Sequence, residues 1–288
     1  MKLHSALPLG LLLLLGHTVA ATPSPDALLH YRSGVVPLLN GKVSLDTGSD
    51  LRFLDRTDAG RVIVDLWGNP PGSAEDVVGM IVPAGLDPDT QEGWGVVITE
   101  SLDGHVTDKD AARTNYDRIM HDLQRDTAAA NAEREQAGYG TVDLIGWADA
   151  PHYEAGTHKM YWAKELAFHG PDETAEGGEH TLNYAVRVLG RDSVLELNAV
   201  AGMDQLPQVK GDMQRVLQQV SFTSGHRYED YTEGTDRLAT YGVAGLLGVA
   251  AAKKVGLLAG GLLLLKKGGV LLLGAFAALG RLFRRRSA

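Results

Sequence analysis

Leu182-Asn183-Tyr184-Ala185-Val186-Arg187-Val188-Leu189-Gly190-Arg191-Asp192-Ser193-Val194-Leu195-Glu196-Leu197-Asn198-Ala199-Val200 reads as two strands joined by a hairpin turn at Gly190-Arg191-Asp192. Leu182, Tyr184, Val186 and Val188 alternate with Asn183, Ala185 and Arg187. Strand side chains two apart share a face, so one face is expected in a core and the other towards polar surroundings. Before this hairpin, Val142 to Trp147 and His158 to Phe168 also read as strands. After it, Leu206, Val209, Met213, Val216, Leu217 and Val220 line one face of a helix.

Further upstream, Thr107 with Asp110 resembles a capping box and opens a long helix that runs to about Gln136. Ala112, Tyr116, Ile119, Met120 and Leu123 give it an apolar stripe, and Gly138 and Gly140 end it. Val43 to Leu45 and Leu51 to Leu54 are short strands around the turn-rich stretch Asp46 to Asp50. Val77 to Val82 and Trp94 to Thr99 are two more. The β-branched run Val62 to Trp67 favours a strand, with a helix capped by Thr57 as the alternative, and Asn69-Pro70-Pro71-Gly72 stops it. The expected fold class is α+β: a mostly antiparallel sheet with a long helix and a C-terminal packing helix on one face, followed by an apolar membrane-anchor tail.

The two ends differ from this body. Met1-Lys2, the apolar run Leu7 to Leu15 and the small residues Thr18 to Ala21 make a secretory signal peptide over 1–21. From Ala239 to Gly280 the chain is apolar, broken by Lys253-Lys254 and Lys266-Lys267. No unbroken piece reaches the roughly 20 residues a bilayer helix needs. Pieces joined through a lysine pair, 239–265 or 255–280, do reach it, and snorkelling lowers the cost of the lysines. Leu257, Leu258, Leu262, Leu263, Leu271 and Leu272 carry the anchor, while Arg284, Arg285 and Arg286 mark its cytoplasmic end. An interfacial hairpin is the other reading. The expected organisation is signal peptide 1–21, extracytoplasmic domain 22–236, and anchor with basic tail 237–288.

Charge follows the same division. The full chain of 288 residues has a net charge of −9. All 36 acids and 18 of the 27 Lys/Arg lie in 21–237, which leaves that part at −18, and none of the acids follows Asp236. An acidic body excludes nucleic acid as a partner on electrostatic grounds. Cysteine is absent, so disulfides, thiolate metal sites and a cysteine nucleophile are excluded. No nucleophile elbow, phosphate-binding glycine loop or other cofactor motif occurs in the sequence.

Several stretches together are similar to a known family. They include Leu66-Trp67-Gly68-Asn69-Pro70-Pro71-Gly72, Gly79-Met80-Ile81-Val82-Pro83, Asp103-Gly104-His105-Val106-Thr107-Asp108 and Asn131-Ala132-Glu133-Arg134. Pro151-His152-Tyr153, Met160-Tyr161-Trp162-Ala163-Lys164-Glu165-Leu166 and Arg187-Val188-Leu189-Gly190-Arg191 continue the series. In these the chain, over most of 35–245, resembles the bacterial family of membrane-anchored proteins catalogued as domain of unknown function 2167. The resemblance implies an envelope protein with a C-terminal anchor and implies no reaction.

Candidate functional residues are few. Trp147, His152, Tyr153, Tyr161, Trp162, Lys164 and Glu165 offer aromatic bodies with polar tips, the composition of a recognition groove. Alternation puts Tyr161 and Glu165 on one strand face and Trp162 and Lys164 on the other. Leu45-Asp46-Thr47-Gly48-Ser49 looks like an aspartic-protease loop, which requires a dimer sharing a proton between two Asp46 carboxylates; a strand-linking turn is the plainer account. Asp103, His105, Asp108 and Asp110 are dense, but their spacing fits no standard metal motif. His152, His158, His169 and His180 read as scattered surface histidines. The function expected is a non-enzymatic binding or scaffold module of the bacterial inner membrane, with its domain outside the cytoplasm. Membrane lipid and an envelope protein are the expected partners. An Asp46 hydrolase and an accessory subunit of a membrane complex are the alternatives.

Overall fold

The computed structural model describes residues 29–170 and 179–247. The signal peptide over 1–21 and the anchor residues Leu257 to Arg286 lie outside the described residues. Among those described, no helix is long and apolar enough to cross a membrane.

The chain enters through strands β1 (Val35–Leu38), β2 (Val43–Asp46) and β3 (Leu51–Asp55), then helix α1 (Arg56–Arg61). Strands β4 (Gly79–Pro83), β5 (Gly95–Ser101) and β6 (His105–Thr107) lead to the long helix α2 (Tyr116–Gln136). Two antiparallel hairpins follow, β7 (Val142–Glu154) with β8 (Lys159–Phe168) and β9 (Glu179–Leu189) with β10 (Val194–Gly202). Helix α3 (Leu206–Gln219), strand β11 (Val220–Phe222) and strand β12 (Leu238–Gly242) come last, before a 3-10 helix over Val243–Leu247. The folded part therefore continues past residue 236, where the sequence places the start of the tail.

The main sheet runs β3-β4-β5-β10-β9-β8-β7 with every neighbouring pair antiparallel. The α+β class and its antiparallel sheet are thus as the sequence indicates. The helices, however, lie on both faces. Val209, Met213, Val216 and Leu217 of α3 join Leu182, Tyr184, Val186 and Leu197 in one core, together with the small sheet β1-β2-β11. On the other face α1 covers Leu54, Met80, Val97 and Val200, while Met120 of α2 meets Leu144, Leu166 and Phe168. A sheet clad on both sides buries the polar half of the alternating pattern as well, so Asn183 and Asn198 are interior rather than solvent-facing.

Two local expectations are corrected. Val62 to Trp67 is not a strand: α1 runs on as a π-helical turn over Val62–Leu66, closed by the Trp67 N–H donating to the Val62 carbonyl at 2.8 Å. Buried Ala59, Val62, Ile63 and Trp67 recur at helical spacing, and Asp55, not Thr57, caps the start by accepting from the Thr57 and Asp58 N–H groups. Helix α2 begins at Tyr116 behind the cap Asn115, because Thr107 is still in β6. There β6 pairs in parallel with β12, and Gly104 (φ +105°) lets the Arg237 carbonyl pass, which a Cβ would meet at 2.6 Å.

Strand β7 stands at one edge of the sheet and changes register three times, between Leu144 and Gly146, between Trp147 and Asp149, and between Asp149 and His152. These shifts bend the strand while keeping Trp147 opposite Lys164 and His152 opposite Tyr161.

Candidate functional site

The seven residues singled out in the sequence divide between the two faces of the sheet. His152, Tyr161 and Glu165 lie on the α3 face. There the His152 ring stacks on Tyr161 with centroids 4.9 Å apart, and the Tyr161 hydroxyl donates to Glu154 Oε2 at 3.2 Å. Burial, with the Glu154 carboxylate beside it, pushes the Tyr161 phenol up from its ordinary value. Glu165 pairs with His180 at 2.6 Å. Each of these side chains is thus occupied within the fold.

Trp147, Tyr153, Trp162 and Lys164 share the α2 face. Lys164 stands in a cross-strand row between Trp147 on β7 and Asn183 on β9, with Trp162 two residues before it on its own strand. Directly opposed side chains in such a row have Cβ atoms about 5 Å apart. Only 8 % of Lys164 is exposed, and among the described residues its ammonium has no hydrogen bond and no ion pair. Burial, with the nearby Arg187 charge, lowers its pKa to about 8. Relative to an ordinary lysine that corresponds to about 3 kcal/mol against the charged form.

The indole N–H groups of Trp147 and Trp162 are also buried without an acceptor. Beside Lys164, two indole donors are therefore buried and unmatched by acceptors among the described residues, a condition native interiors seldom tolerate. The neighbouring polar groups do have partners. Arg187 lies over the Trp162 ring at 4.9 Å and binds Glu196 at 3.2 Å, and Glu196 also accepts from the Thr99 hydroxyl at 3.2 Å. Asn198 donates to Asn183 Oδ1 at 3.2 Å. Arg187 is thus neutralised within the strip and Lys164 is not. Sequence reasoning missed Asn183, Arg187, Glu196 and Asn198. The signal was present in the hairpin, since pairing Leu189 with Val194 sets Arg187 opposite Glu196.

Tyr153 belongs to a second cluster at the end of the same face. Tyr231, His105, Tyr228 and His158 form a column of rings with successive centroids 4.0, 4.3 and 3.9 Å apart. Tyr153 donates to Asp108 Oδ2 at 3.0 Å, and its phenol is pushed up by burial and by that carboxylate. Burial lowers the His105 pKa, against the Arg191 carbonyl that its Nδ1 meets at 3.2 Å. This column fastens the segment after β11 to the sheet.

The remaining candidates disperse. Asp103 accepts from Tyr241, Asp108 from Tyr153, and Asp110 from the Val243 and Ala244 N–H groups, so these acids serve separate partners. No group of three or more His, Asp or Glu able to hold a metal occurs among the described residues. Asp46 Oδ1 accepts from the Gly48 N–H at 3.0 Å and closes the turn between β2 and β3. His169 is buried and bound to Asp143 at 3.0 Å, which corrects its reading as a surface residue.

The family model for proteins of unknown function designated DUF2167 matches residues 30–277. The chain belongs to the DUF2167 family. Its match takes in the whole described fold almost from the first residue and continues beyond Leu247 into the apolar tail. No curated protein matches this DUF2167 chain. Among solved structures, it is similar to cyanobacterial PsbP (CyanoP) from Synechocystis, at 13% identity over 68% of this chain and 92% of that one, with a TM-score of 0.34. It is likewise similar to the Ran-binding protein Mog1p of Saccharomyces cerevisiae, at 9% identity over 67% and 96%, with a TM-score of 0.32. Likenesses of that size carry nothing about the activity of this DUF2167 member.

Proposed function

We propose that this chain is a non-enzymatic binding or scaffold module of the bacterial cell envelope. In this reading its C-terminal tail holds it on the inner membrane and its folded domain stands outside the cytoplasm. The apolar stretch around Leu257 to Leu273 followed by Arg284, Arg285 and Arg286 supports the attachment and its orientation. The acidic body is repelled by anionic headgroups that attract the basic tail, which keeps the domain off the lipid surface.

The observation that carries a binding role is Lys164, a buried ammonium without a counter-charge among the described residues, beside two indole donors in the same condition. A methionine in that place fills similar space without the desolvation cost, so the lysine answers to something other than stability. The test is capture of envelope partners in mild detergent with the full chain and its Lys164→Met variant. Partners lost with the variant support the reading, and an unchanged set overturns it. Carbonate extraction and protease accessibility of the parent protein test the attachment: release of the intact chain, or an external C-terminus, overturns that part.

A further inference from the structure

We infer that the segment from Thr223 to Gly242 is an acid-released strap, with His105 as the rivet that holds it closed against the sheet. Such a strap works in this way whether or not Lys164 serves a partner.

The strap is fixed by burial at its ends and by polar and ring contacts along its length. Phe222 before it and Val243 after it are buried, but none of residues 223–242 is. A segment with so little buried apolar surface belongs to the low end of local stability. Its hold converges on two residues of the sheet side. His105 stacks its ring on Tyr228 and Tyr231, with centroids 4.3 and 4.0 Å away, and its backbone N–H donates to the Arg237 carbonyl at 2.8 Å. Arg191 donates its backbone N–H to the His226 carbonyl at 2.9 Å, and its guanidinium grips both Asp236 oxygens at 2.9 Å. The two holders are joined, since a carbonyl only accepts and His105 Nδ1 donates to that of Arg191 at 3.2 Å.

The closed strap favours a neutral His105. Its ring is 6 % exposed between two tyrosines, so a second proton puts a charge where water is scarce. The carboxylates of Asp108, which follows β6, and of Asp236 on the strap favour that proton. The Arg191 guanidinium is paired with Asp236, and His158 is the next ring of the column, 3.9 Å from Tyr228. The Tyr228 phenol is pushed up to about 12 by burial and by Asp108, so it stays neutral. Burial outweighs the two acids and holds the His105 pKa below 6.5. Opening returns the ring to water and to its ordinary value. Protons therefore favour the open strap, whose equilibrium grows by at most about tenfold per pH unit as pH falls below 6.5. Tyr228, Ala239 and Tyr241 pack on the core that holds Val106, Leu189 and Val194, so release admits water to that apolar surface.

The test is amide hydrogen exchange of the full chain in detergent micelles, followed by mass spectrometry from pH 7.5 to 5. Exchange times are scaled for the intrinsic pH dependence of amides. Opening of peptides within 223–242 is expected to rise at least about threefold over that range, while β9 and β10 keep their protection. His105→Phe, which keeps a ring between the two tyrosines, should be as protected as the parent at pH 7.5 and stay so at pH 5. If that variant is already open at pH 7.5, His105→Gln, which keeps a donor for the Arg191 carbonyl, takes its place. His158→Phe should respond to pH as the parent does. A parent strap whose protection does not change with pH overturns the inference. So does a response that survives in the His105 variants, one that disappears in His158→Phe, or loss of protection in β9 and β10 in step with the strap.

Discussion

Asn131 binds Val142 as a neighbouring strand does: its side-chain nitrogen donates to the Val142 carbonyl at 3.0 Å, and its oxygen accepts from the Val142 N–H at 2.9 Å. One amide on α2 thus satisfies both backbone groups of a residue on the outer edge of β7. Gln124, two turns earlier on α2, donates to the Leu144 and Ile145 carbonyls in the same manner.

Replacing Asn131 with Leu leaves a partly buried donor and acceptor unmet. The expected cost is about 1–3 kcal/mol of stability. Melting temperature then falls by about 2–4 °C for each kcal/mol in a domain of this size. Asn131→Asp keeps the acceptor and loses the donor, so its loss should be intermediate. A thermal melt of Asn131→Leu that matches the parent contradicts the two-bond account.

Asp110 fastens the end of the described fold through the Val243 and Ala244 N–H groups, at 3.0 and 3.2 Å. It acts as a remote cap on the 3-10 helix whose Val243, Leu246 and Leu247 cover Met160 and Trp162. Asp110→Ala is expected to cost about 1–2 kcal/mol. Amide exchange at Val243 and Ala244 should quicken well before that of the central strands. Unchanged exchange at those two amides counts against the cap.

His105 predicts a pH dependence. Burial holds its folded pKa below the ordinary value of 6.5, so the fold prefers the neutral ring. The unfolded chain takes up the proton first as pH falls. The contribution of His105 is therefore complete above about 6.5 and is lost as pH drops through the lower folded value. Melting temperature measured from pH 7.5 to 5 should fall less steeply in His105→Phe, which keeps a ring between Tyr228 and Tyr231. Parallel profiles argue against this assignment.

Lys164→Met should separate stability from binding. Removing a buried charge that lacks a partner is expected to leave the fold as stable as the parent or up to about 1–3 kcal/mol more so. The same variant should lose the captured partner. A variant both less stable and still competent to bind reverses both expectations.

The antiparallel hairpins, α3 and the opposite placement of Trp162 and Glu165 were legible because alternation and helical periodicity are local patterns. Burial of the second face was not. Asn183 and Arg187 look solvent-facing until α1 and α2 are laid over the sheet, and no local pattern reports that cladding. Val62 to Leu66 misled for a related reason, since tertiary contact through Ala59, Ile63 and Trp67 outweighs the β preference of its valines. Within the site, alternation alone sets Lys164 and Trp162 side by side on one face of a strand. The absence of a counter-charge depends on where every described acid lies in three dimensions.

The uneven register of β7 bears on how this protein behaves in company. A long, straight border strand with free amides is a template on which another chain polymerises. Here the border is kinked, carries Pro151, and has its outward groups near Val142 and Leu144 occupied by Asn131 and Gln124. The opposite border is closed by Arg32, which exchanges two 2.8 Å bonds with Phe53. Even when crowded at high concentration, such a sheet has little means of recruiting an eighth strand from a neighbour, so concentrated solutions should remain free of fibrils.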